Sequence, residues 1–251
     1  MEVYWIPISK QQLQKFTVEE RRLFLQLGHL QNDLAILHKL LVVHHPKGPL
    51  PDPAMRAGMG VFFMLTRLLA GKVWEGWMLL QKDLFETHLL ESLSLTTSER
   101  DSLSRLGRHF SKSKILNLIR NKQAFHYDGD ELVESLDALD TFDSCIVLEN
   151  SVGNCFYGVS EDLMLLKVQE LTGTSEPTAA VEKLFKILTM IARQMADVAG
   201  GIQKCLVERY IGASPEACKA LVMEVPSSPI KPMEISYFVH RESEPPVRNE
   251  A

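Results

Sequence analysis

Cysteine is scarce, and what there is lacks pattern. The chain has four in 251 residues; Cys145, Cys155, Cys205 and Cys218 form no C-x-x-C pair and have no histidine at ligand spacing. That excludes a disulfide framework and a cysteine-based metal centre, and free thiols are the expected state. Excess positive charge is also lacking. Lysine and arginine number 27 against 32 aspartates and glutamates, a formal net charge of −5, so any contact with nucleic acid has to be local. There is no glycine-rich phosphate loop, no Gly-x-Ser-x-Gly elbow and no internal repeat. The start, Met-Glu-Val-Tyr-Trp, has neither the basic residues nor the apolar run of a signal peptide. The most apolar run, Met59 to Leu69, is short and carries Arg67, so no membrane span is expected. A cytoplasmic protein is the expectation.

What is present is helical rhythm. At 45% hydrophobic the chain can bury a substantial core. Leu23, Leu27, Leu30, Leu34, Leu37 and Leu41 alternate steps of four and three, one buried stripe of a long amphipathic helix. Pro46 to Pro53 is too rich in proline to be helical. Beyond it, 54 to about 93 is helix-rich, with Gly71 and Gly76 as places where it could bend or divide. Trp74 and Trp77 sit at helical spacing among leucines and read as core. Thr96-Thr97-Ser98-Glu99 has capping-box spacing and starts a helix through Leu103, Leu106 and Phe110. A short acidic helix follows at 130–140, with Val133, Leu136 and Leu139 inward. The apolar runs Cys145–Leu148 and Cys155–Tyr157 flank an Asn/Gly turn and predict a β-hairpin at about 143–159. Ser160 is placed to cap a helix that Gly173 ends. Val181 to Leu206 keeps the three-four rhythm in a long helix at about 178–211, which needs a long partner from its own chain or a second subunit. Residues 226–251 are rich in proline and charge and read as a tail, with an extended piece at 235–239. The expected fold is therefore mainly α, a single helical-bundle domain over 1–225 with a small β-hairpin insertion.

Chemistry is sought where the apolar half-helix Ile115-Leu-Asn-Leu-Ile119 turns polar at Arg120-Asn-Lys-Gln-Ala-Phe-His126-Tyr-Asp128. Arginine is a permanent, fork-shaped cation matched to phosphate oxygens, and histidine moves protons at neutral pH. On one regular helix Arg120 and His126 point about 120° apart. Either the helix frays near Phe125 or a second copy completes the site across a two-fold axis; the second option makes the protein a homodimer. Arg105, Arg108, His109, Lys112, Lys114, Arg120 and Lys122 form the densest positive stretch. By default it is a solvated face; beside a phosphate-binding arginine it is a candidate groove for RNA backbone, with Arg105, Arg108, Lys112, Lys114 and Lys122 as contacts. His38, His44 and His45 have no carboxylate or cysteine at helical spacing and read as surface histidines near a helix end, not a metal site.

Arg120, the polar Asn121 and His126 resemble the R-polar-x-H signature of the HEPN superfamily, and IRNKQAFHYD is similar to HEPN-type proteins of prokaryotic defence systems. The resemblance implies a compact helical bundle, commonly dimeric, with a core at about 19–130. It also implies metal-independent endoribonuclease activity without a cofactor, with Arg120 and His126 catalytic and Asn121 orienting the arginine. In some members an acidic or amide side chain on an early helix supports the arginine, a role Asn32 or Asp33 could fill; a solvated flank is the plainer reading. Two alternatives stay open. The chain could be a non-catalytic module of that fold that binds nucleotide or a protein partner, such as an antitoxin or nucleotidyltransferase. Arg120 and Asp128 could also merely cap and salt-bridge a helix end while His126 packs beneath Ile119.

Overall fold

The computed structural model describes residues 1–44, 53–112, 129–137, 139, 143–148, 155–212, 214 and 217–225. Among them the chain is mainly helical: β1 (Glu2–Trp5), α1 (Lys10–Leu13), α2 (Val18–Val43), α3 (Pro53–Leu80), a π turn (Gln81–Phe85), α4 (Leu89–Ser92), α5 (Thr97–Lys112), α6 (Gly129–Asp137), β2 (Ile146–Val147), β3 (Phe156–Tyr157), α7 (Gly158–Thr172), α8 (Pro177–Tyr210) and β4 (Leu221–Glu224).

The long helices start where local chemistry supplies acceptors for their free N–H groups. Thr17 and Glu20 make a reciprocal capping box on α2, the Thr17 N–H donating to Glu20 Oε2 at 2.9 Å and the Glu20 N–H to Thr17 Oγ1 at 3.2 Å. Thr96 and Glu99 do the same for α5, as their spacing predicts. Pro177 opens α8 behind the Glu176 carboxylate, which accepts from Thr178 and Ala179. Each helix then buries its stripe: Leu23, Leu27, Leu30, Leu34 and Leu41 from α2, Phe62, Leu69, Val73 and Leu80 from α3, Leu103, Leu106 and Phe110 from α5. The axis of the core is α8. It packs against α2, α3, α5 and α7, so the long partner its rhythm demands is its own chain. Trp77 is buried and stacks on Phe110 with ring centroids 5.0 Å apart, the core role expected for it.

The two ends of the core are clasped. Glu20, 3% exposed, receives Arg209 Nη1 at 2.7 Å and the Tyr210 hydroxyl at 2.8 Å, fixing the start of α2 to the end of α8. The two strands of the expected hairpin pair, Ile146 with Tyr157 and Val147 with Phe156, antiparallel; the turn between them, 149–154, lies outside the described residues. It feeds straight into α7, where Gly158 leaves no room for a side chain; a Cβ there would lie 2.8 Å from the Cys145 carbonyl oxygen. A second ribbon, unforeseen in its pairing, joins β1 to β4, antiparallel, from Glu2 opposite Glu224 to Trp5 opposite Leu221.

Several expectations need correction. α3 runs through Gly71 and Gly76, and the regular helix gives way only at the π turn. Gly76 serves close packing instead, since a Cβ there would meet Leu30 Cδ2 at 2.7 Å. On α6 it is Leu132 that packs against the core, while Val133 and Leu136 are exposed. α7 begins before Ser160, which caps nothing. His44 is buried, its Nε2 3.2 Å from the Gly58 carbonyl, so it is not a surface histidine. Residues Ala54–Phe85 are long and apolar enough to cross a membrane by length and composition, with more than half of the most apolar window buried inside the protein.

Candidate functional site

Arg120, Asn121, His126, Lys114 and Lys122 lie outside the described residues, as do His45 and the tail from 226. The flanks of the motif are described. α5 leads into it and ends at Lys112, and α6 leaves it from Gly129. α5 is held against α8, and α6 against α7, so the segment between starts and finishes on packed helices. On α5 the apolar positions turn inward and Arg105 and Arg108, three apart, share the exposed face. Neither makes an ion pair with a described carboxylate. Their charge is therefore open to solvent at the approach to the motif. His109, half-buried next to them, has its pKa lowered, first by burial and then by Arg108, so it is neutral at pH 7. The Lys112 side chain lies outside the described residues. Asn32 is exposed, and Asp33 pairs with Lys72 at 3.2 Å and lies 3.8 Å from His29.

A second constellation sits between α3, the β2–β3 hairpin and α7. Arg56, Gly60, Phe63 and Arg67 recur along one face of α3 at steps of four, three and four. Arg67 is 7% exposed. Its Nη2 donates to both Glu161 oxygens at 3.2 and 3.3 Å, its Nη1 lies 3.0 Å from Met164 Sδ, and its guanidinium stands 4.9 Å from the Phe63 ring centroid. Burial raises the Glu161 pKa; Arg67 pulls it back and Asp162 pushes it further up, leaving a net rise. Beside it, Asp162 Oδ2 accepts from Arg56 Nη1 at 3.4 Å and from Ser144 Oγ at 2.5 Å. Arg56, Glu161 and Asp162 edge a cleft of about 270 Å³, walled by Met59, Phe63, Phe156, Leu165 and Val181. Gly60 lets the Phe156 ring approach α3 closely, because a Cβ there would press on Phe156 Cε2 at 2.9 Å.

The sequence contained one signal for this cleft that went unused: Arg67 inside the most apolar run. A charge in such a run has to find an opposite charge when buried, and no acid lies at helical spacing, so the partner had to be distant in sequence. Among the described residues no group of histidine, cysteine and carboxylate side chains is arranged to hold a metal ion. Comparison with protein-family models, with curated proteins and with solved structures finds no match to this chain.

Proposed function

We propose that this chain is a HEPN-like, metal-independent endoribonuclease built on a helical bundle, a defence or toxin effector acting as a homodimer. His126 assists attack of the ribose 2′-hydroxyl on the adjacent phosphate, Arg120 stabilises the charge on phosphorus with Asn121 orienting it, and the products carry 2′,3′-cyclic phosphate and 5′-hydroxyl ends. The observation that carries the reading is the Arg120-Asn121…His126 signature. What supports it on the described surface is α5, whose unpaired Arg105 and Arg108 line the approach to that segment. In a protein of net charge −5, two solvent-facing arginines at that place give RNA a local point of attachment.

The test is incubation of the full chain with single-stranded and hairpin RNA in excess EDTA. Cleavage is expected, with cyclic-phosphate ends, and is lost in His126→Ala with the melting temperature little changed. Arg105→Ala/Arg108→Ala is expected to raise KM several-fold at unchanged kcat, because phosphate contacts outside the reacting centre contribute uniform binding. Activity that EDTA abolishes, or 3′-hydroxyl products, would refute the mechanism. The cleft favours a second reading, a non-catalytic module of the same fold that binds a partner. Arg56, Glu161 and Asp162 at its edge are paired within the chain, Asp143 adds a further negative charge, and its walls are apolar, which suits an apolar side chain of a protein partner better than the phosphates of a nucleotide.

A further inference from the structure

The cleft between α3, the β2–β3 hairpin and α7 has walls of one kind and an edge of another. Its walls are apolar, and its volume of about 270 Å³ falls just below the range of drug-sized sites, so it suits a molecule on the order of ten non-hydrogen atoms. The charges at its edge do not balance. Arg56 is matched to Asp162 at 3.4 Å, and Arg67, which does not itself line the cleft, is matched to Glu161 at 3.2 Å. Asp143 lines the cleft as well, is exposed, and makes no ion pair with any described residue. Two pairs cancel and one carboxylate is left over. The Glu161 pKa stays raised, by burial first, in spite of Arg67, so the positive charge present is less than these carboxylates call for.

We propose that the cleft is a binding site for a small organic cation, a primary amine on an apolar stem, with the stem against the apolar walls and the ammonium at Asp143. An ammonium supplies the charge that the edge lacks, whereas a carboxylate or phosphate meets Asp143 with like charge. The chain's net charge of −5 acts in the same direction. The walls provide most of the binding. Because Asp143 is exposed, its charge adds selectivity of about two- to five-fold, the range of solvated ion pairs. The inference does not rest on the ribonuclease reading, which the RNA assay decides. It competes with the apolar side chain of a protein partner, because an uncharged anchor has no use for the unpaired carboxylate.

Hexylamine, hexanol and hexanoate share an apolar stem and differ in charge, and their titration into the full chain, with its methionine methyl groups isotopically labelled, tests the proposal. Met59 lines the cleft and reports on it, its signal assigned by Met59→Leu; Met78 and Met190 are exposed, do not line it, and serve as controls. Hexylamine is expected to shift the Met59 methyl with a Kd on the order of millimolar, hexanol to bind about threefold more weakly and hexanoate more weakly still. Asp143→Asn is expected to bring hexylamine to the level of hexanol, to leave hexanol as it was, and to keep the melting temperature, since the residue is exposed. Equal binding of hexylamine and hexanol to the wild type overturns the proposal in favour of an uncharged anchor. Tighter binding of hexanoate overturns it in favour of an anion at Arg56. A preference for hexylamine that survives Asp143→Asn refutes the placement of the ammonium. A Met59 methyl that does not move, or that moves only together with Met78 and Met190, shows that the cleft is not a site for this class of molecule.

Discussion

Glu20 is buried and Glu161 half-buried, their surroundings push the two carboxylates in opposite directions, and the pH dependence of stability follows from the difference. Burial by itself raises the pKa of Glu20; the Thr17 N–H, the Tyr210 hydroxyl and Arg209 outweigh it and hold the group below an ordinary glutamate's 4.5. A depressed acid contributes stability that is present above its unfolded pKa and is lost as pH falls through its folded one. Glu20→Gln is accordingly expected to cost about 1.5 kcal/mol at pH 7, the lower end for hydrogen bonds to a charged group because Arg209 is partly solvated. The cost should be smaller at pH 3 than at pH 7, since the contribution of the charge is lost as pH falls through the depressed pKa. Urea titrations at the two values check this, and an equal cost at both would show that charge is not what holds the clasp. Glu161 is the reverse case: its raised pKa means that its folded-state penalty, present at high pH, is relieved as pH falls through that value. Arg67→Met leaves the half-buried Glu161 carboxylate without its partner, an expected loss of about 2 kcal/mol at pH 7.5, partly regained at pH 5 and largely restored by adding Glu161→Gln. Unfolding curves of the single and double variants decide it; no rescue by the second change would mean that Arg67 matters for packing rather than charge. At this scale the sequence was legible only where partners are local. The Thr17–Glu20 and Thr96–Glu99 boxes are visible as spacings, whereas Arg67 and Glu161 meet through tertiary packing that no short window contains.

Helices were legible as elements because their stripes repeat many times, so that a single exception does not hide the period. α2, α3, α5 and α8 all fall where their leucines and aromatics placed them. Short elements gave less. α6 spans little more than two turns, and its inward residue, Leu132 rather than Val133, is chosen by what α7 offers it. The β1–β4 pairing joins the two ends of the described chain, and neither strand carries a turn signal naming the other. The contact of α5 with α8 yields a prediction at this scale. Gly201 is buried on α8, and a Cβ there would lie 2.7 Å from Glu99 Oε1, the carboxylate whose other oxygen accepts from the Thr96 N–H at 2.6 Å. Gly201→Ala gains about 1 kcal/mol of helix propensity but displaces the capping carboxylate, at a similar cost. The single variant should stay within about 1 kcal/mol of wild type by these opposing effects. In a Glu99→Ala background the same change should stabilise by about 1 kcal/mol, a coupling that a double-mutant cycle reads directly. Additivity within about 0.3 kcal/mol would disprove the link between the glycine and the cap.

For the whole molecule, α8 is the scaffold. Four helices lean on it, and its C-terminal end is tied by Arg209 and Tyr210 to Glu20 and, through Arg209 Nη2, to the Ser92 carbonyl. The candidate site was legible in sequence as a motif and as a basic stretch; only the basic stretch, through Arg105 and Arg108 on α5, lies where the structure describes it. β4 ends at Glu224, and Val225 closes the ribbon by donating its N–H to the Met1 carbonyl at 3.0 Å. A chain cut after Val225 therefore keeps every contact described above. What it loses is a segment whose prolines and charges leave little apolar surface to bury. Such a truncation is expected to unfold within about 2 °C of the full chain, because a shift of several degrees in a protein of this size requires a loss of more than about 1 kcal/mol. Both proteins have to be compared at one concentration, since self-association of any kind makes the melting temperature depend on it. A fall of many degrees at matched concentration would show that residues 235–239 are docked on the body of the protein and that the tail is part of the fold.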